Sequence, residues 1–215
     1  MRIPLYNRLK KQAHKEIAML QDEVVDIIYF ISPKAVLHGG TAIWRCYEGN
    51  RFSEDLDFYL STNNGFKESF SEQLKSRGLI LLKYKETGNS IFSKISNISS
   101  EIRFEASLRK IKKYEIKPYE KTNGAYIDVL TLSPEDLLLE KANAYANRKL
   151  IRDFYDVYWL SRYLPKSTII EEKIRQFLKK PERPADEKTL RTIVYAGAIP
   201  SFDQMLVSLK RGFKQ

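Results

Sequence analysis

The amino-acid sequence predicts an α+β fold: a mixed sheet with few helices, followed by a helical C-terminal half. Three observations carry this. Short apolar or alternating runs, bounded by Gly, Pro, Asn and Ser, recur between Ala35 and Leu130. From Ser133-Pro134 onward the apolar residues fall at helical spacing instead. The chain has 215 residues, 43% of them hydrophobic, enough for one good core or a core with a smaller helical lobe. A core domain over residues 1–132 and a helical domain over 133–215 are therefore expected, with no internal repeat.

Leu9, Ala13, Ile17, Leu20, Val24, Ile27 and Ile28 recur at helical spacing, so one long amphipathic helix is expected from Leu5 to Phe30, stopped by Ser32-Pro33. Ala35 to His38 reads as a buried strand. Thr41 to Tyr47 reads as a helix whose first N–H groups face a Gly39-Gly40 turn. Asp55 to Leu60 is a second strand, and its period of two sends Asp55 and Asp57 to one face, Leu56 and Phe58 to the other. An Asn63-Asn64-Gly65 turn precedes a helix from Phe66 to Ser76 and a strand from Leu79 to Lys85. Phe92 to Ile95 pairs with Glu101 to Leu108, where Ile102, Phe104 and Ala106 oppose Glu101, Arg103, Glu105 and Ser107. The basic run Arg109 to Lys113 is expected to loop over the surface, and Tyr126 to Leu130 to be the last strand. Ser133 then offers an N-cap, Pro134 the first helical position, and Glu135 and Asp136 acids for the first turn. Helical patterns follow over Glu135 to Asn147, Ile151 to Leu164, Ser167 to Lys179, Glu187 to Tyr195 and Phe202 to Arg211, punctuated by Pro165, Pro181, Pro184 and Pro200.

The 37 Lys and Arg exceed the 27 Asp and Glu by a formal charge of +10, enough to attract a polyanion, although a merely solvated Lys-rich surface has the same composition. A single cysteine, Cys46, excludes an internal disulfide framework and a cysteine-only zinc site, and two histidines leave little for a mixed one. The N-terminal residues carry no apolar leader and no segment is long enough to cross a bilayer, so a soluble cytoplasmic protein without a membrane role is expected.

The chemistry concentrates between Leu37 and Leu60. Transfer of a phosphoryl-linked group needs its attacking and leaving oxygens held in line and the developing charge neutralised. Mg²⁺ does this with carboxylate oxygens, and two such ions about 4 Å apart can clamp both oxygens. Asp55 and Asp57, on one strand face, supply the first ligands; Glu105 is the best candidate for a third and Glu101 the second choice. Gly39 and Gly40 permit a close approach of backbone to phosphate, Thr41 adds a hydroxyl, and the following helix contributes its dipole. Each half alone has a duller reading. A Gly-Gly turn is often only a strand-to-helix connection, and an Asp-x-Asp strand is often a solvated edge or the metal motif of a sugar-nucleotide glycosyltransferase.

Gly39-Gly40-Thr41 followed by Arg51-x-Ser53-x-Asp55-Leu56-Asp57-Phe58 resembles the signature of the DNA polymerase β-type nucleotidyltransferase superfamily, and within it the AbiEii/AbiGii toxin family. Lys141-Ala142-Asn143-Ala144, Arg148 and Arg152-Asp153-Phe154-Tyr155-Asp156-Val157 resemble that family's C-terminal elements, Val157 replacing a leucine. The resemblance spans roughly Val36 to Leu160. It implies a polymerase-β-like core with a mixed sheet carrying the metal carboxylates, Mg²⁺ as cofactor, and transfer of a nucleotide from an NTP to an acceptor such as RNA, with tRNA the family's example. It also implies a toxin role and an antitoxin partner. Carried over by position, Asp55 and Asp57 are metal ligands, Gly39, Gly40 and Thr41 hold phosphate, and Lys141 binds the triphosphate. Asp153 and Asp156 position Lys141, the nucleotide or the acceptor. A different class of function, a catalytically silent nucleic-acid- or protein-binding module on the same fold, shares all these sequence features.

Several residues keep two readings. Lys141 is either a snorkelling surface lysine or a phosphate ligand, and Asp153 and Asp156 are either helix ion-pair partners of Arg148, Lys149 and Arg152 or positioning groups. Arg51 and Ser53 either cap a turn or support Asp55 and the phosphates. His38 reads as a packed strand-end residue, and Tyr145, Tyr155, Tyr158 and Trp159 as helical core. Lys110, Lys112, Lys113, Lys117, Lys210, Arg211 and Lys214 are solvated charges or contacts to an RNA backbone.

Overall fold

A computed structural model describes residues 3–61, 64–164, 168–179 and 181–213 of the chain. Asn63, Pro165, Ser167 and Lys214, named above in a turn, a helix stop, a helix start and a basic tail, lie outside these described residues. The chain divides into two compact units, Met1–Glu48 with Phe52–Leu132, and Gly49–Arg51 with Ser133–Gln215.

The first unit is built on a seven-stranded mixed sheet. Its elements are α1 (Leu5–Arg8), α2 (Gln12–Ile31), β1 (Val36–His38), α3 (Gly39–Cys46), β2 (Leu56–Leu60), α4 (Phe66–Ser76), β3 (Ile80–Glu86), β4 (Ser90–Ser96), β5 (Glu101–Leu108), β6 (Glu115–Glu120) and β7 (Tyr126–Thr131). The strand order is β3-β4-β5-β2-β1-β7-β6. β2 runs parallel to β5 and antiparallel to β1, β1 runs parallel to β7, and the outer pairs are antiparallel.

One face of this sheet is the core. Leu56, Phe58 and Leu60 of β2 and Ile102, Phe104 and Ala106 of β5 are buried there. Phe66 and Phe70 of α4 stack or tilt against Phe104, and Tyr29 of α2 meets Phe58 edge-on, so α2 and α4 cover this side. The opposite face carries the polar alternates Asp57 and Tyr59 of β2, Glu105 and Ser107 of β5, and His38 of β1.

Three expectations are corrected. The first helix is broken: Leu9 takes an extended conformation and buries its side chain, so α1 ends at Arg8 and α2 begins at Gln12. The second strand starts at Leu56, leaving Asp55 in the preceding loop. A strand missed in the sequence, β6, follows the basic loop; Pro118 within it is tolerated because β6 is the sheet edge, where one row of backbone donors has no neighbour to serve.

The second unit is helical: α5 (Pro134–Arg148), α6 (Ile151–Leu160), α7 (Thr168–Leu178), α8 (Leu190–Ile193) and α9 (Phe202–Gly212), with 3₁₀ turns at Ser161–Tyr163 and Glu187–Thr189. Ser133 caps α5 as its side chain accepts from the Asp136 N–H, and Ser201 with Gln204 closes a capping box on α9. Phe154, Tyr145, Phe177 and Phe202 form an aromatic cluster between these helices. Tyr145 within this cluster and Tyr155, whose ring meets those of Tyr158 and Trp159, are buried as expected, whereas Tyr158 and Trp159 stay half-buried. No helix among the described residues is long and apolar enough to cross a membrane.

Candidate active site

The acids sit where strand register puts them. β2 and β5 are parallel neighbours with Asp57 opposite Glu105, and β1 lies on the other side with His38 opposite Asp57. Glu105, Asp57 and His38 thus form a row across three strands, spaced by the strand separation of about 4.8 Å. Asp55 stands two residues before Asp57, half-buried like it, between exposed Glu54 and buried Leu56. Glu101 occupies the far end of β5, opposite Ser96, where its carboxylate pairs with Lys94 at 2.7 Å.

Electrostatics show how close these acids are. Burial raises the Glu105 carboxyl, and the charges of Asp57 and then Asp55 push it further up against the opposing pull of Arg103 and His38. Asp55 is held by a two-pronged pair with Arg103, Nε to Oδ1 at 2.8 Å and Nη2 to Oδ2 at 2.7 Å. That pair raises the Arg103 guanidinium above its ordinary value. Among the described residues no group of three or more His, Cys, Asp or Glu is gathered closely enough to hold an ion as it stands. The donor set nevertheless fits a hard divalent cation: oxygen-only ligands on one face, from adjacent strands, under mutual repulsion that a cation relieves.

Gly39 and Gly40 open α3 rather than preceding it. Gly39 has φ +70°, and a Cβ built on it would overlap the Oδ2 of Asp57, so only glycine lets the helix start lie flush against that carboxylate. Thr41 faces inward. Its side chain is fully buried and its hydroxyl donates to the Asp55 carbonyl at 2.5 Å, which pins the Asp55 loop and leaves backbone N–H groups for any anion. Ser53 is buried, and the Gln21 amide donates to the carbonyls of Ser53 and Glu54 at 2.9 and 3.1 Å. Arg103 holds the Asp55 carboxylate and Gln21 the backbone of the same segment, contacts not foreseen from the sequence, although alternation along β5 puts Arg103 on the face of Glu105. His38 stacks on Tyr59 with ring centroids 4.0 Å apart, the packed strand-end role expected of it.

The second unit holds a charge network of its own. Arg51 grips Asp156 with Nε and Nη2, each at 2.8 Å, both side chains being buried. Neither a turn cap nor support of Asp55 was expected to involve Asp156, and this pair was not foreseen. Lys141 Nζ lies 3.2 Å from Asp156 and 3.8 Å from Asp153, and Asp153 is gripped in turn by Arg148 at 2.7 and 2.8 Å. Burial alone would raise the Asp156 carboxyl; the charges of Arg51 and Lys141 override it and hold it below the usual range. Burial likewise opposes the Arg51 charge, and Asp156 more than restores it. The buried aspartates thus join buried Arg51 and Lys141 to exposed Arg148, and Lys141 is oriented by both aspartates.

The description of one protein-family model, nucleotidyl transferase AbiEii toxin of a type IV toxin–antitoxin system, matches residues 27–211. No curated protein matches the sequence. Among solved structures, JHP933 from Helicobacter pylori is similar with a TM-score of 0.70 at 20% identity, covering 96% of this chain and 92% of that one. The nucleotidyltransferase toxin MenT4 from Mycobacterium tuberculosis is similar with a TM-score of 0.66 at 16% identity, covering 94% and 83%. These likenesses share the fold: a mixed α+β core with a helical portion.

Proposed function

The chain belongs to the AbiEii nucleotidyl transferase toxin family, and from that premise we propose that it moves a nucleotide from an NTP to the terminal hydroxyl of an RNA, tRNA being the leading acceptor. The observation that carries the reading is the Asp57–Glu105 register, with Asp55 on the same face and Gly39 flush against Asp57. In the reaction the acceptor oxygen forms a bond to the α-phosphorus, the bond from that phosphorus to the bridging oxygen breaks, pyrophosphate leaves with the electron pair, and the hydroxyl proton is lost to solvent.

Asp57 and Glu105 would hold Mg²⁺, joined by Asp55 once it exchanges Arg103 for the ion; the ion would supply charge neutralisation at the phosphates. Gly39 and Gly40 admit the phosphates to the backbone N–H groups opening α3. Thr41 fixes the Asp55 loop, and Ser53 lies in the same anchored segment. In the helical unit Lys141 is the phosphate-binding cation of this reading, oriented by Asp153 and by Asp156, which Arg51 braces. The family description supports a toxin role with an antitoxin partner, and an NTP-dependent reaction suits the cytoplasm.

Incubation with each α-labelled NTP, Mg²⁺ and total RNA tests this. Label is expected in RNA with the unaltered protein, and a loss of at least about 10²-fold with Asp57→Ala or Asp55→Ala, because each removes a half-buried oxygen ligand from the sheet's polar side without disturbing the apolar core. Undiminished labelling by the double variant would remove the site from the reaction.

A further inference from the structure

The open face of the first unit's sheet can be read in rows perpendicular to β2. The row of Glu105, Asp57 and His38 is followed, about 6.6 Å along the strands, by Ser107, Tyr59 and Val36. Beyond these the strand ends bring Arg109, Ser61 and Lys34 around a cavity of about 530 Å³, which Lys110, Lys112 and Tyr114 complete. Four cations and no acid line it. Lys34, Arg109, Lys110 and Lys112 form no ion pair among the described residues, and nearby Glu115 is taken by Lys117 at 3.0 Å. Arg109 lies over the Tyr59 ring, 4.8 Å from its centroid, and His38 stacks on the same ring, so an aromatic step joins the cavity to the acid row.

Direction gives this cavity its meaning. β1 and β2 are antiparallel, so Gly39 follows His38 at the Asp55 end of the row, while the cavity lies at the Tyr59 end. The acids therefore stand between the glycine turn and the basic cavity. In-line transfer needs the attacking and leaving oxygens on opposite sides of the phosphorus. With the triphosphate at the glycine end, the nucleophile arrives from the cavity's side.

We propose that this cavity binds the phosphate backbone of the acceptor RNA's single-stranded end, with Lys34, Arg109, Lys110 and Lys112 as the backbone contacts and Tyr59 flanking the last nucleotide's approach to Asp57. The proposal rests on the reading of the acids as the transfer site. Electrostatic contacts of this kind release counterions, so binding weakens with salt by a slope that counts them.

The test is fluorescence anisotropy of labelled total tRNA and of a short single-stranded RNA with the full chain, over a salt series and without NTP. For R109A/K110A/K112A the account expects affinity about tenfold or more weaker at low salt, and a log–log salt slope smaller by about two to three. The control K75A/K83A/K85A, which removes the same charge from exposed positions elsewhere, is expected to keep the slope, and both variants to keep ATP affinity and circular dichroism. The proposal is overturned if the two triple variants bind RNA alike, if ATP affinity falls instead, or if the unaltered protein binds no RNA. Asp57→Ala should keep RNA binding while losing transfer. Were transfer absent throughout but RNA binding still dependent on the three cations, the transfer reading would fall and the cavity would stand.

Discussion

Asp55 must change partners before it can work as a ligand. Its carboxylate is occupied on both oxygens by Arg103, an exposed side chain that can swing away at little cost. Glu105 shows the strain of the same arrangement from the other side. Its raised carboxyl means that the folded chain holds this proton more tightly than the unfolded chain does, so a stability penalty grows as pH rises above the usual carboxylate range and is complete above the raised value. Glu105→Gln is therefore expected to melt higher than the unaltered protein at pH 7–8, with the gap closing towards pH 4, while losing transfer activity. Mg²⁺ should narrow the gap at the higher pH by offsetting the same repulsion. A melting difference that does not vary with pH would contradict this. Asp57 and Glu105 were legible from alternation alone, since a period of two decides the face of every strand residue. The Arg103 clamp was not, because it depends on β2 and β5 becoming parallel neighbours across the long stretch of chain between Leu60 and Glu101, an order that no local pattern encodes.

The helices were the most legible elements. The start of α5 follows from Ser133, Pro134 and the two acids after them, and α9 begins at Phe202, where its helical pattern was read. What escaped was set by distant partners. β6 carries no strand signal of its own until β7 pairs with it, and nothing local to Arg51 points to Asp156, which α6 presents to it. The Arg51–Asp156 pair links a three-residue segment of the chain to α6, and Lys141 of α5 leans on the same carboxylate. Removing the guanidinium leaves a buried acid with a single cation, so Arg51→Met is expected to cost about 3–5 kcal/mol in urea unfolding. Arg51→Met/Asp156→Leu should recover most of that, because it leaves no unpaired buried charge; a single variant losing under about 1 kcal/mol would show that the pair does not brace the helical unit.

At the scale of the molecule, the chain interleaves its two units: Gly49–Arg51 leaves the first and joins the second, where the Tyr195 hydroxyl donates to the Gly49 carbonyl and the Tyr195 N–H to that of Asn50. Periodicity along the chain contained the α+β class and the helical half but not this exchange, since a three-residue segment carries no pattern of its own. The net charge of +10 suits a polyanionic partner, and the basic cavity shows where some of it is concentrated. The central claim is that the acid row catalyses attack on an α-phosphorus. The most direct measurement compares RNA labelling from α-labelled and γ-labelled NTP, in Mg²⁺, by the unaltered protein and by Asp57→Asn. The account predicts label in RNA from the α position only, γ label released as pyrophosphate, and neither product with Asp57→Asn. Label entering RNA from the γ position, or transfer undiminished in Asp57→Asn, would contradict it.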